Sequence, residues 1–228
     1  MANHLDLEEQ EQLDELKHFW SKYGNLISGI VVLVMVCLAG WNGYQYWQRS
    51  QAAQAAVMFD EMSKSLASGD VTKAERTFND MRERYARATY TQQAGLALAK
   101  MAADAGKSDV AKSALQWVAD KSNDDGYAAI AQLRLANVLL DAKQLPEALK
   151  ALDAVKGEAF AGLVADRRGD IFLLQGQREQ AKTAYLSAYK AFDDRSQYRN
   201  LVRVKLNALG AEPEPAKVAA QANTSGER

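Results

Sequence analysis

The residues able to do covalent or metal chemistry are few in this chain, and they sit where such chemistry is hard to build. Among 228 residues there are two histidines, His4 and His18, and one cysteine, Cys37. Both histidines precede residue 22, and Cys37 lies in an uncharged apolar run. The chain after residue 48 therefore has no imidazole and no thiol. That removes Ser-His-Asp and Cys-His nucleophile pairs and the usual structural zinc sets. Neither a Gly-x-x-x-x-Gly-Lys phosphate loop nor a dinucleotide glycine fingerprint occurs. Carboxylates do adjoin one another, at Asp124-Asp125 and Asp193-Asp194. Each pair falls between predicted helices, where aspartate is an ordinary turn residue. Met58, Met62, Met81 and Met101 cluster in the first half. Thioethers suit adaptable peptide surfaces, but here they read more simply as helical core. No catalytic, cofactor or metal residue is expected, and the sequence reads as that of a non-enzymatic protein.

The element everything else hangs from is the uncharged run Leu26 to Trp41, extended by uncharged flanks from Tyr23 to Gln48. As a helix that window is about 39 Å long, against about 30 Å of bilayer hydrocarbon. Trp20 and Tyr23 at one end, and Trp41, Tyr44, Tyr46 and Trp47 at the other, suit the two headgroup layers. A buried core helix is the competing reading, and the length argues against it. A cleaved signal peptide would need a shorter apolar run and a basic lead-in; this lead-in is mostly acidic. Small residues between Gln45 and Ala56 would suit cleavage, but a retained anchor is the expectation. Lys17 and Lys22 precede the run and only Arg49 follows it closely, which places the N terminus in the cytoplasm. In the lead-in, Leu13, Leu16 and Trp20 recur at helical spacing among carboxylates. That is either a contact for a cytosolic protein or a solvated approach to the anchor, and the second is expected.

The chain's formal charge is -1. Removing the two Lys and six Asp/Glu of residues 1–22 from totals of 28 and 29 leaves 26 and 23, a net of +3 after residue 48. This is not the basic footprint of a nucleic-acid binder. Beyond the anchor the chain repeats. Gly169, Phe172, Gly176, Ala181, Tyr185 and Ala188 have the small-large-Gly-small-large-small spacing of a tetratricopeptide repeat. The same register gives Ala136, Leu139, Lys143, Ala148, Leu152 and Val155, then Ala99, Ala102, Gly106, Ala111, Leu115 and Val118, then Met62, Ser65, Gly69, Ala74, Phe78 and Met81. The small residues Ala74, Ala111, Ala148 and Ala181 are 37, 37 and 33 apart, differences that loops are expected to absorb. Asp70 and Ser108 are candidate helix caps. A last helix, from Gln197 to Leu209, reads as a cap on the final repeat. After Gly210 the chain is poor in hydrophobic residues and reads as disordered. A glycosylation sequon at Asn223-Thr224-Ser225 in that tail reads as chance.

The fold class is therefore all-α: one N-terminal transmembrane helix followed by a tetratricopeptide-like helical-repeat superhelix. Its expected divisions are an acidic cytoplasmic stub (1–22), an anchor (23–48), a repeat domain (49–210) and a disordered tail (211–228). With this layout, the stretch LRLANVLLDAKQLPEALKALDAVKGEAFAGLVADRRGDIFLLQGQREQAKTAY from Leu133 to Tyr185 resembles the YfgM family. Gly157, Glu158, Ala165, Asp166, Arg168 and Gly169 are the matching positions, and the resemblance runs over roughly residues 15–209. It implies an ancillary subunit of the bacterial SecYEG translocon in the inner membrane, with its repeats in the periplasm. The implied partners are the translocon, the membrane-anchored chaperone PpiD, translocating client chains and a cytosolic stress regulator. The implied role is passing newly translocated chains to periplasmic chaperones. An envelope scaffold for cell division or outer-membrane assembly is the alternative use of such a chain.

In a stack of this kind the first helix of each pair lines the concave face. The register puts Leu96 and Lys100, then Leu133, Arg134 and Asn137, then Asp166, Arg167 and Asp170 on it as the expected partner-binding residues. Lys100, Arg134 and Asn137 only partly reproduce the set by which some repeats clamp a chain terminus. A protein segment held by packing and a few charged hydrogen bonds is expected instead, with arginine the largest contributor.

Overall fold

The computed structural model describes residues 7–211, with side chains from residue 13 onward. His4, the sequon and residues 212–228 of the expected tail lie outside the described residues. Among the described residues every regular element is helical: α1 (Leu7–Ala67), α2 (Val71–Arg84), α3 (Thr89–Asp104), α4 (Ser108–Lys121), α5 (Asp125–Asp141), α6 (Leu145–Asp153), α7 (Ala161–Leu174), α8 (Arg178–Ala191) and α9 (Gln197–Ala208), with a 3-10 turn at Glu158–Phe160. The chain divides into two compact units, at Ala53 and Gln54.

The first unit is a single helix, the leading part of α1, long and apolar enough to cross a membrane. Its side chains from Ile30 to Val36 are all exposed, with Val36 66% accessible. A soluble protein would bury such a row, so lipid is its natural solvent. Leu13, Leu16 and Trp20 are exposed too.

The second unit is built from helical pairs. The end of α1 pairs with α2, then α3 with α4, α5 with α6, and α7 with α8. Each first helix ends in a left-handed residue: Gly69 (φ 73°), Gly106 (73°), Lys143 (59°) and Gly176 (74°). The chain reverses there through one repeated pair of backbone bonds. At Gly176, for example, Gln177 N donates to Phe172 O (2.8 Å) and Gly176 N to Leu173 O (3.0 Å). This is the Schellman closure of a helix end, and it satisfies carbonyls that the helix leaves unpaired. Asp70 caps α2 by accepting from Lys73 N at 2.9 Å. Ser108 does not cap; it is already the first residue of α4. Asp124 is the missed cap, accepting from Gly126 N and Tyr127 N.

The register survives in the packing. Ala74, Ala111, Ala148 and Ala181 are fully buried, and Phe78, Leu115, Leu152 and Tyr185 nearly so. A small residue lets paired helices approach, and the large one a turn later fills the space that this creates. The tightest case is Gly169, where an added Cβ would lie 2.4 Å from the Tyr185 ring. The four methionines are core: Met62 and Met81 are buried, and Met58 and Met101 pack against the same cluster. Two linked expectations fail, the place of Val155 in the register and the absorption of uneven spacing by loops. Val155 lies outside a helix, because α6 has only nine residues while α4 and α8 have 14. The short spacing from Ala148 to Ala181 therefore comes from shortened helices; the connection between them is lengthened and carries the 3-10 turn. The last helix, expected from Gln197 to Leu209, does lie against the final repeat, with Val202 and Leu206 in one cluster with Ala181, Tyr185 and Ala188. Only Val202 and Leu206 are buried, while Leu201 and Val204 point away, as the 100° step of a helix requires.

Gly169→Leu is expected to destabilise the second unit by about 1–3 kcal/mol or more through overpacking, and Ala181→Leu should act alike. Urea unfolding of the full chain, followed by circular dichroism, measures both. Unchanged midpoints in both variants would reject the register.

Candidate functional site

Neighbouring first helices touch along one ridge. Phe59 of α1 and Tyr90 of α3 place their rings 5.8 Å apart. Gln93 on α3 donates to the Tyr127 hydroxyl on α5 (2.8 Å), and Arg134 Nη1 on α5 donates to Leu96 O on α3 (3.3 Å). Between α3 and α5, over Leu115, lies an open groove of about 320 Å³. Lys100, Asp104, Arg134, Asn137 and Asp141 bring charge of both signs to it. The Lys100 ammonium pairs with Asp104 at 2.7 Å, but both side chains stay well exposed, so an incoming group exchanges that pair at little cost. Two larger grooves, of about 590 and 710 Å³, run between second helices: one from α4 to α6, the other from α6 to α8.

The eight residues expected to bind a partner fall into three groups. Lys100, Arg134 and Asn137 share the groove. Leu96 is buried and Leu133 packs against the core cluster, so both shape the ridge from beneath. Asp166, Arg167 and Asp170 are drawn into one cluster against α9, where Arg167 and Asp170 stay partly exposed. Asp166 is fully buried. It accepts from the Tyr198 hydroxyl (2.9 Å) and Lys205 Nζ (2.8 Å), both on α9. Asp170 accepts from Lys205 Nζ (2.7 Å), from the Tyr185 hydroxyl of α8 (2.7 Å) and from Arg167 Nη1 (2.8 Å). Two carboxylates and two cations make the cluster neutral, and the two phenols supply further donors. A buried ion group costs desolvation that only such saturation offsets.

The field of this cluster shows in its titrating groups. Burial alone would raise the Asp170 carboxyl. The bonds from Lys205 and Tyr185, the Lys205 charge and the Arg167 bond outweigh it and hold the group below its ordinary value. Burial and the Asp166 charge push the Tyr198 phenol up to about 12. Burial and the bond to Asp170 push Tyr185 higher still. Lys205, Tyr198 and the Tyr185 hydroxyl were missed from sequence. The signal was there: Lys205 interrupts the apolar row Tyr198, Val202 and Leu209 on the buried side of α9. The other carboxylate pair is structural, with Asp193 accepting from Arg195 N and Asp194 paired to Arg199. Among the described residues no three His, Cys, Asp or Glu side chains gather as a metal site.

Lys205→Met is expected to destabilise the second unit by about 3 kcal/mol, because buried Asp166 loses the nearer of its two cations and keeps only Arg167 at 3.6 Å. Adding Asp166→Leu should restore most of that loss, since apolar replacement of a whole buried pair is nearly neutral. Urea melts of the two variants decide it; a harmless single variant would show the cluster to be solvated. The Tyr198 phenol is raised in the folded state, so its contribution is complete below pH 10 and is lost as pH rises towards about 12. Tyr198→Phe should remove that alkaline loss.

A family model described as a tetratricopeptide repeat-like domain matches residues 17–211. The chain is 31% identical over 213 residues to a protein of Neisseria gonorrhoeae named an ancillary SecYEG translocon subunit, spanning 92% of this chain and 100% of that one. Proteins of the same name from Escherichia coli (28% over 204 residues; 88% and 96% of the two chains) and Haemophilus influenzae (29% over 206; 89% and 98%) are similar. No solved structure matches. With its repeat register, its apolar helix and this full-length similarity, the chain belongs to the YfgM family of tetratricopeptide repeat-like proteins, whose members carry the name ancillary SecYEG translocon subunit.

Proposed function

We propose that this chain is a non-enzymatic scaffold of the SecYEG translocon that links emerging chains to periplasmic chaperones. The observation that carries the reading is the match over the whole length of a relative named for that translocon. The single apolar N-terminal helix fits a single-pass inner-membrane protein. In this reading the N terminus is cytoplasmic and the repeat unit periplasmic, on the strength of Lys17 and Lys22 before the anchor. The membrane-anchored chaperone PpiD and translocating clients are its partners on the periplasmic side, and a stress regulator on the cytoplasmic side. The groove of Lys100, Arg134 and Asn137 is the contact for a protein segment. Its mixed charges suit a few charge-assisted hydrogen bonds around a packed centre.

Topology has a direct test: protease added to intact spheroplasts should digest the repeat unit. Protection until the inner membrane is broken would reverse the orientation. The partnership is tested by co-purification in mild detergent, where SecYEG subunits and the chaperone should accompany the chain. Division or outer-membrane assembly proteins in their place would favour the envelope-scaffold reading. Lys100→Ala with Arg134→Ala should keep the translocon subunits and reduce chaperone recovery several-fold, as a small part of a surface carries most binding energy. Undiminished recovery would move the contact to the grooves between second helices.

A further inference from the structure

The connections that follow α2, α4, α6 and α8 lie at one end of the second unit, because the helices of each pair run antiparallel and share a left-handed turn at the other end. Each can be counted from the last three residues of its second helix to the start of the next helix. Residues 119–124 carry one lysine against two aspartates. Residues 151–160 carry one lysine against an aspartate and a glutamate, and residues 189–196 two charges of each sign. Residues 82–88 differ, with Arg82, Arg84 and Arg87 against Glu83 alone. A helix C-terminus favours a cation, and the last turns of α4, α6 and α8 hold one each, Lys121, Lys150 and Lys190. The last turn of α2 holds two arginines, and Arg87 stands beyond the helix. Arg84 and Arg87 are exposed and Arg82 is half-buried. Among the described residues none of the three makes an ion pair or a side-chain hydrogen bond.

Tyr85 fixes the place of this basic connection. Its hydroxyl donates to Gln54 Oε1 at 2.7 Å, so Arg84 and Arg87 flank the point where the second unit begins. Gln54 follows Gln48, the last residue of the uncharged window, by six residues. Six residues at full stretch span about 20 Å, a limit set by the covalent chain alone. Of the four connections this is the one tied closest to the end of the anchor, and it is the one with excess positive charge.

We propose that the α2–α3 connection docks on the lipid surface beside the anchor, with Arg82, Arg84 and Arg87 holding the phosphates of anionic phospholipids. A guanidinium binds phosphate through two parallel hydrogen bonds and is weakly hydrated, so it gives up water readily at a headgroup. Basic residues next to a membrane segment are drawn to anionic headgroups over about a Debye length. This second hold on the membrane makes the attitude of the repeat unit depend on lipid charge. The proposal rests on the apolar helix being a membrane anchor and is independent of the orientation and the partners proposed above.

The full chain with Cys37→Ala and Thr89→Cys, carrying a fluorophore at exposed position 89, tests it in nanodiscs whose lipids bear a headgroup quencher. Quenching should be strong in phosphatidylglycerol discs and weak in phosphatidylcholine discs. High salt should remove the difference, because it screens exposed charges. Arg84→Gln with Arg87→Gln should lower the ratio of docked to undocked chains in phosphatidylglycerol about fivefold per arginine. The urea midpoint should stay in place, since both side chains are exposed. Arg87→Gln alone, with a single fivefold loss, serves should the pair disturb the fold. A fluorophore placed instead by Asn123→Cys, on the acidic connection after α4, should show little dependence on lipid charge. Equal quenching in the two lipids, or quenching indifferent to salt and to both arginine variants, would overturn the proposal. So would arginine variants that keep the lipid contact but lose the co-purifying chaperone, which would give the patch to an acidic protein segment. A chain that fails to enter discs at all would remove the anchor, and the proposal with it; a chain that enters them without lipid dependence would remove the proposal alone.

Discussion

A β-carbon on Gly169 would sit 2.4 Å from the Tyr185 ring, so the two helices of that pair meet only because the residue has no side chain. Close approach of this kind sets the geometry of the whole repeat unit. At Ala74, Ala111, Ala148 and Ala181 the second helix brings a small residue to the first, and a large residue one turn on fills the adjoining space. The left-handed turn before each second helix fixes where it starts. A pair closed so tightly has too little interior of its own. Its outer flank stays apolar until the next pair covers it, which makes the protein an array with nearest-neighbour stability.

One register position shows how the array changes along its length. Leu96, Leu133 and Asp166 are equivalent. The first two face their neighbours as packing residues, but the third is a buried carboxylate. Lys205 and Tyr198 satisfy it, and with Asp170, Arg167 and Tyr185 they tie α7, α8 and α9 together. Charge at this point makes docking specific in place and angle, since a shifted helix would leave buried Asp166 with only the longer 3.6 Å pairing to Arg167. Packing holds the middle of the stack, where Lys100, Arg134 and Asn137 line the open groove between α3 and α5.

Fold class was legible in the sequence because the repeat constraint is local. Small and large residues at fixed offsets, and the glycines after each first helix, report contacts within one pair. Even Lys143 was placed in register at a left-handed turn, where its side chain gave no hint of that conformation. Helix lengths were less legible. The α6 truncation that excludes Val155 depends on how two pairs fit together. The candidate surface was half legible for the same reason. A register says which residues leave the ridge, but not whether another helix arrives to cover them. Asp166 and Asp170 read as open partner-binding residues because carboxylates usually lie at the surface. Lys205, a cation in an otherwise apolar row on α9, was the clue that they are covered.

Hydrogen exchange on the full chain tests most directly whether the stack extends through α9 by way of this buried cluster. The amides of Val202 to Leu206 should exchange as slowly as those of α8, and Lys205→Met should release them first while α3 to α5 stay protected. Fast exchange of α9 in the unaltered chain, or release of all helices together in the variant, would contradict the account.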